Sequence, residues 1–290
     1  MILTVTLNPA LDVTYDVGKL TRHAGHRVRR VQKRAGGKGV NVARVLAALG
    51  QEVLATGLCG GPTGDLVRED LDEGGVPHSF QPVSGDTRRT VVVVDDDATV
   101  FNEPGMLVHP AEWSLFQARF SRLVQSASVV VLSGSLPPGL PVDAYAVLTR
   151  LAKDAKVIVD ASGPALSAAV TASPDLLKPN AQEFAEAGLS PTGTLVVSQG
   201  AGGMVAMTDG RCLEARPPEV LKGNPTGAGD AAAAALAVAL RDAAPWDEAL
   251  RDAVALSAAA VLAPVAGSFD HAAYRRFRPR VSVKEVPCPW

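Results

Sequence analysis

The sequence predicts an α/β protein: a mostly parallel central sheet with helices on both faces. Three observations predict it. Apolar runs at 2–7, 52–58, 129–132, 156–160 and 194–198 read as strands buried on both faces. Amphipathic stretches lie between several of them, such as Val42, Val45, Leu46 and Leu49 at helical spacing. No internal repeat or low-complexity linker divides the 290 residues, which are 47% hydrophobic and 20% charged, so one main domain over 1–290 is expected.

In chain order, Met1–Asp12 has no basic region ahead of its apolar run and reads as a first strand rather than a signal peptide. Segments 12–34 and 87–103 then break the α/β alternation: both are rich in Val and Arg and lack a helical period. Thr90–Val94 followed by Asp95-Asp96-Asp97 has the form of a strand entering a hairpin turn. The two segments are either edge strands of the main sheet or a small β-flap over a cleft that must exclude water. The basic run Arg22–Arg34 has no interleaved aromatics, so it reads as a solvated flap face that steers anions rather than as a nucleic-acid patch.

Gly36-Gly37-Lys38-Gly39-Val40-Asn41 runs directly into the helical pattern of Val42–Leu49. A cation at a helix N-terminus opposes the helix dipole, which favours a negatively charged partner for Lys38 over an incidental glycine loop. Ser133-Gly134-Ser135 follows the strand 129–132, at the carboxyl end where α/β sheets hold ligands. Lys178-Pro179-Asn180-Ala181-Gln182-Glu183 opens a helix. Asn180 and Glu183 can face one metal-bound water shell, or form an N-cap with its returning N3 carboxylate.

The strongest motif is Asn224-Pro225-Thr226-Gly227-Ala228-Gly229-Asp230, followed by the helix-forming run 231–240. Its glycines place free N–H groups at the positive end of a helix dipole, an anion site. An aspartate there would repel a bound phosphate. It fits if Asp230 takes a proton from a hydroxyl that attacks that phosphate. The same stretch matches a dinucleotide GxGxxA pattern, but it follows a Pro-rich loop late in the chain rather than a first strand. No Walker A sequence is present, since Gly37-Lys38 is followed by Gly39.

Composition excludes other classes. Net charge is −2 and aromatics are 4%, against nucleic-acid or membrane-surface binding. The apolar run 231–240 is too short to span a bilayer. Cys59, Cys212 and Cys288 are widely spaced and odd in number, and read as unlinked thiols of a cytoplasmic protein. The five histidines form no metal-binding pair.

Together with Asn8-Pro-Ala-Leu-Asp12, Thr87-Arg88, Asn102-Glu-Pro-Gly105 and Ser198-Gln-Gly200, these motifs resemble, in order and over nearly the whole length, the ribokinase-like (PfkB-type) carbohydrate kinases. Within them the resemblance is to the 1-phosphofructokinase/tagatose-6-phosphate kinase branch. It implies a ribokinase-like three-layer α/β/α fold with a β-lid, ATP and Mg²⁺ as cofactors, and phosphorylation of a ketohexose phosphate, fructose 1-phosphate foremost. Tagatose 6-phosphate and fructose 6-phosphate are the alternative acceptors. An NAD-type oxidoreductase and a non-catalytic sugar-phosphate sensor are the alternatives of other classes. Lids of this family often pair two subunits, which implies a homodimer.

By resemblance, Asp230 is the catalytic base and Gly227, Ala228 and Gly229 its anion hole. Asp12, Gly37 and Asn41 hold sugar hydroxyls, with Ser135 a further sugar contact, and Lys38 and Arg88 take the phosphate already on the sugar. Lys178, Ser198, Gly200, Gly227 and Gly229 lie toward ATP, and Asn180 and Glu183 toward Mg²⁺ through water. The chain departs from the family in three places. The segment between Asn180 and Ser198 is short and lacks room for a helix usual there, Met106 stands where the branch has proline, and the glycine usual near Ser257 is missing.

Overall fold

The computed structural model describes residues 1–188 and 193–289. The strands described are β1 (Ile2–Thr6), β2 (Ala10–Asp16), β3 (Arg30–Gly36), β4 (Val53–Cys59), β5 (His78–Pro82), β6 (Arg88–Val94), β7 (Ala98–Asn102), β8 (Val129–Ser133), β9 (Lys156–Asp160), β10 (Leu176–Leu177), β11 (Thr194–Ser198), β12 (Met204–Thr208), β13 (Arg211–Arg216) and β14 (Ser282–Val286). The helices are α1 (Lys38–Ala48), α2 (Gly61–Glu73), α3 (Pro110–Leu123), α4 (Ala144–Leu151), α5 (Gly163–Val170), α6 (Ala181–Ala187), α7 (Ala228–Arg241), α8 (Trp246–Val261) and α9 (His271–Phe277).

Ten strands form one sheet in the order β14-β13-β12-β11-β10-β9-β8-β1-β4-β5. From β11 to β5 every pairing is parallel, and β12, β13 and β14 add an antiparallel edge. Because successive side chains of a strand point to opposite faces, each central strand feeds two cores. Ile2, Val129 and Val131 enter the core under α1, α2, α7 and α8, while Leu3, Val5, Val130 and Leu132 enter the one under α3, α4 and α5. The first core is alanine-rich: Ala231–Ala235 and Ala237 of α7 are buried against α1 and α8. Small side chains let these helices approach closely and bring the N-terminus of α7 up to the strand ends. The second core takes the aromatics Trp113, Phe116, Phe120 and Tyr145.

The segments that broke the α/β pattern do not join this sheet. β2, β3, β6 and β7 make a separate four-stranded sheet in the order β3-β2-β6-β7. Its register sets Asp12 opposite Arg34 on one side and Thr90 on the other, and Ala10 opposite Gly36 and Arg88. The odd-numbered face buries Leu11 and Val13 against α2 and leaves Val31 and Phe101 exposed at the outer end, where Val100 is exposed on the opposite face.

Two expectations are corrected or bounded here. Cys212 and Cys288, read from the sequence as unlinked thiols, form a disulfide with Cα atoms 5.2 Å apart. The reason is the β13–β14 ladder: Cys212 lies opposite Val286, so Cys288 arrives beside it from across 76 residues of sequence. The cysteine argument for a reducing compartment falls with it. After Asn180 the chain forms only the seven-residue α6, and residues 189–192, where the rest of the short segment runs, lie outside the described residues. No helix among the described residues is long and apolar enough to cross a membrane.

Protein purified in air and unfolded without reductant should therefore present one titratable thiol per chain, that of Cys59. Peptide mapping should recover a Cys212–Cys288 linkage that disappears on reduction.

Candidate active site

Asp230 lies in the first turn of α7 behind Gly227, which adopts φ 88°. A Cβ at Gly227 would sit 2.9 Å from the Ala266 backbone, so both the positive φ and the close approach require glycine. The Asp230 carboxylate is almost wholly buried and accepts a hydrogen bond of 2.8 Å from Asn41 Nδ2 of α1. Burial raises its pKa to about 6. The nearby Asp160 charge adds to this, and Asn41, Lys38 and Lys178 oppose it. A carboxylate poised in this way is charged at neutral pH yet basic enough to accept a proton.

Beside it sits a buried ion triad. Asp160, the last residue of β9, receives Lys38 Nζ on Oδ1 and Lys178 Nζ on Oδ2, each at 2.9 Å. Burial alone would raise the Asp160 pKa, but the two ammonium groups together hold it below the usual carboxylate range. Lys38 is likewise kept protonated against its partial burial, chiefly by Asp160. Glu183 Oε1 approaches Lys38 to 3.8 Å, and its Oε2 accepts from the Asn180 N–H at 2.8 Å while Asn180 Oδ1 accepts from the Glu183 N–H at 2.8 Å. Asn180 and Glu183 thus form the reciprocal cap that is one of the two sequence readings. Ser198 is hydrogen-bonded through its N–H to the Pro179 carbonyl and bridges Asn180, which places β11 and the Gly200 turn alongside this cap.

A second group of residues lies at the base of the small sheet. Asp12 is hydrogen-bonded to Thr90, and burial lifts its pKa to about 6 against the opposing charges of Arg88, Arg34 and Arg44. Arg88 donates from Nε to the Asn8 carbonyl at 3.2 Å and from Nη1 to Thr90 Oγ1 and the Glu103 carbonyl. Asn8 Nδ2 in turn donates to Ser135 Oγ and the Pro104 carbonyl, each at 3.1 Å.

The glycine strip 36–39 joins the two groups. A Cβ on Gly36 would lie 2.0 Å from Asp12 Oδ2, one on Gly37 2.8 Å from Thr6, and one on Gly39 2.5 Å from Thr6 Oγ1. Structure therefore brings Asp230, Asn41, Lys38, Lys178, Asn180 and Glu183 into one cluster and Asp12, Arg88 and Ser135 into another. Lys38 and Arg88, coupled in the sequence reading as ligands of one phosphate, share no partner. Lys38 faces Asp160 and Glu183, whereas Arg88 faces Asn8, Thr90 and Glu103. Sequence reasoning passed over Asp160 and Asn8. The signal for Asp160 was an acid closing an otherwise apolar strand at its carboxyl end.

A buried carboxylate of raised pKa at a glycine-built helix N-terminus, beside a lysine pair, is an arrangement suited to phosphoryl transfer to a hydroxyl. The comparisons agree: the chain belongs to the pfkB family of carbohydrate kinases, whose model matches residues 5–272. As members of that class do, it uses ATP as phosphoryl donor. Phosphofructokinase-2 from Escherichia coli in complex with potassium superposes with a TM-score of 0.90 at 28% identity, over 96% of this chain and 98% of that one. The same enzyme in complex with fructose-6-phosphate gives 0.87 at 28%, with the same coverage. A possible 1-phosphofructokinase from Thermotoga maritima gives 0.86 at 25% over 99% of both chains.

If Asp230 must be ionised to act, kcat/KM should fall as pH drops through about 6. Stability runs the other way. The folded carboxylate holds its proton up to about 6 whereas the unfolded one, near 3.8, has released it, so ionisation costs stability as pH rises through that window. Asp160→Asn should remove one charge that raises Asp230, moving the acid limb of the pH–rate profile to lower pH, and should also destabilise the fold because Lys38 and Lys178 lose their shared counter-charge. Gly36→Ala should displace the Asp12 carboxylate and raise KM for the acceptor far more than KM for ATP.

Proposed function

We propose that the protein transfers the γ-phosphoryl group of ATP to a ketohexose monophosphate, with fructose 1-phosphate the preferred acceptor. The observation that carries the reading is Asp230: a buried carboxylate of raised pKa at the N-terminus of α7, hydrogen-bonded to Asn41.

In this reading Asp230 accepts the proton of the attacking hydroxyl, and the N–H groups of 227–229 stabilise charge on the transferring phosphoryl group. Lys38 and Lys178, preorganised by Asp160, neutralise the same group from the side. Gly229 belongs to that surface, since a Cβ there would lie 3.6 Å from Lys178 Nζ. Ser198 and Gly200 continue the surface toward the nucleotide. At the acceptor end Asp12, Gly37 and Asn41 orient sugar hydroxyls, Ser135 contacts the sugar, and Arg88 takes its resident phosphate. The small sheet serves as the lid that excludes water.

Magnesium fits this donor set in one way. No group of three or more His, Cys, Asp or Glu side chains among the described residues forms a metal cage. An ion carried on the ATP phosphates, reached through water by Glu183 and Asn180, is compatible with the half-buried Glu183 carboxylate. When bound it would screen the phosphate charges that oppose hydroxyl attack.

Two features support fructose 1-phosphate over the 6-phosphates: the Thr87-Arg88 and Asn102–Gly105 sequences at the acceptor end, and the possible 1-phosphofructokinase among the similar structures. A homodimer through the lids would cover Val31, Val100 and Phe101, which the single chain leaves exposed.

A coupled ADP-release assay with fructose 1-phosphate, fructose 6-phosphate and tagatose 6-phosphate at saturating MgATP should give the highest kcat/KM on the first. A tenfold preference for either 6-phosphate would overturn the substrate and leave the chemistry standing. Asp230→Asn should lower kcat by roughly 10²–10⁴ while sparing ATP binding. Arg88→Ala should act on KM for the sugar phosphate and Lys38→Ala mainly on kcat, each by about 1.5–3 kcal/mol.

A further inference from the structure

Given the reading above, on which this inference rests, one arginine is a poor holder for a phosphate dianion. With Lys38 engaged by Asp160 and Glu183, Arg88 is left alone at the acceptor end. We propose that Arg34 is the second ligand of the phosphate already carried by the acceptor sugar, so that Arg34 and Arg88 grip it from either side of Asp12.

The placement follows from register. Arg34 of β3 is directly opposite Asp12 of β2, which is directly opposite Thr90 of β6, and Arg88 precedes Thr90 by two residues. Paired residues, and residues two apart on a strand, share a face. Arg34, Asp12, Thr90 and Arg88 therefore project from one face of the small sheet. The Gly36 position, over which the Asp12 carboxylate leans, belongs to the same face. Two strand spacings across and two residues along put the Arg34 and Arg88 Cα atoms about 12 Å apart, a span that two extended arginine side chains close around one phosphate.

Unused donors point the same way. Arg34 Nε is buried and has no hydrogen-bond partner among the described residues. Arg88 spends Nε and Nη1 on Asn8, Thr90 and Glu103, and its Nη2 makes no hydrogen bond among the described residues. A buried guanidinium N–H without an acceptor is costly, and an arriving anion would satisfy it. The charge balance agrees: Asp12 is the carboxylate that feels Arg34, Arg44 and Arg88 together, while Arg44 is already committed to Asp70. A planar guanidinium on each side suits a phosphate monoester, which can accept bidentately from both.

The test compares the parent with Arg34→Gln and Arg34→Lys in the ADP-release assay. The acceptors are fructose 1-phosphate and, at high concentration, unphosphorylated fructose, and inorganic phosphate serves as inhibitor. Arg34→Gln should raise KM for fructose 1-phosphate roughly 10- to 100-fold, with a much smaller effect on kcat and on KM for ATP. Competitive inhibition by inorganic phosphate should weaken in parallel, and Arg34→Lys should recover part of the loss. A merely structural role would lower turnover on fructose and fructose 1-phosphate alike, and that result overturns the proposal. An unchanged KM for fructose 1-phosphate in Arg34→Gln overturns the proposal alone, provided the parent turns that sugar over. A parent active only on unphosphorylated sugars overturns the substrate reading and this inference with it. Should Arg34→Gln fail to fold, Arg34→Lys decides: a KM raised about threefold or more supports the clamp, and a KM within about twofold of the parent refutes it.

Discussion

Asp160 is a carboxylate taken almost wholly out of water at the end of β9, and it is tolerable there only because two ammonium groups meet it. Lys38 comes from the first turn of α1 and Lys178 from the residue after β10, so one buried charge fixes three separate elements. The arrangement also creates the field in which Asp230 sits. Burial and the Asp160 charge lift the Asp230 pKa, while Lys38 and Lys178 oppose them. The Asp230 carboxylate is thereby kept basic with two lysines beside it, the combination that the proposed phosphoryl transfer needs. Removing Asp160 would leave two ammonium groups close together with little water to solvate them.

Backbone proximity supplies the other constraint. At Gly36, Gly37 and Gly39 the strip 36–39 passes so close to Asp12, Thr6, Pro9 and Val5 that no side chain fits at those three positions, which leaves Lys38 as its one side chain. Because it carries the chain from the small sheet into α1, any shift of that sheet is felt at Lys38 and Asn41. A second linkage runs outside the cleft: Asp70 of α2 accepts from the Ala35 N–H at the base of β3 and pairs with the buried Arg44 of α1. The Arg44 stem in turn packs where a Cβ of Gly267 would be, beside the Ala266 backbone that confines Gly227. The base of the small sheet, the Asp12 group and the Gly227–Asp230 turn are thus neighbours in one frame rather than separate parts.

How much of this was legible differs by the range of the interaction. Strand positions at 2–7, 52–58, 129–132, 156–160 and 194–198 agree with the observed strands to within a residue or so at each end, because a strand buried on both faces writes its environment into consecutive apolar residues. Strands β12, β13 and β14 were not read: β14 is half open to solvent and carries a weak apolar signal, whereas β12 and β13 are largely buried and could have been found as a hairpin around Asp209-Gly210. The Gly227–Asp230 turn and the Asn180–Glu183 cap were legible because each is decided within a few residues.

What the sequence determined by itself is the local chemistry: glycines where the backbone must crowd a ligand, an acid at a helix N-terminus, and an alanine-rich helix behind it. What only the tertiary structure decided is who meets whom. Asp160 acquires its lysines from residues 122 positions before and 18 after it, and Cys212 its partner from across 76 residues. Arg34 and Arg88 come to flank Asp12 through a strand register that no local pattern encodes. The physical reason is that hydrogen-bond ladders and ion pairs between distant segments depend on chain packing, whereas propensity and capping act within a few residues. The same difference separated Lys38 from Arg88, which the sequence motifs had joined.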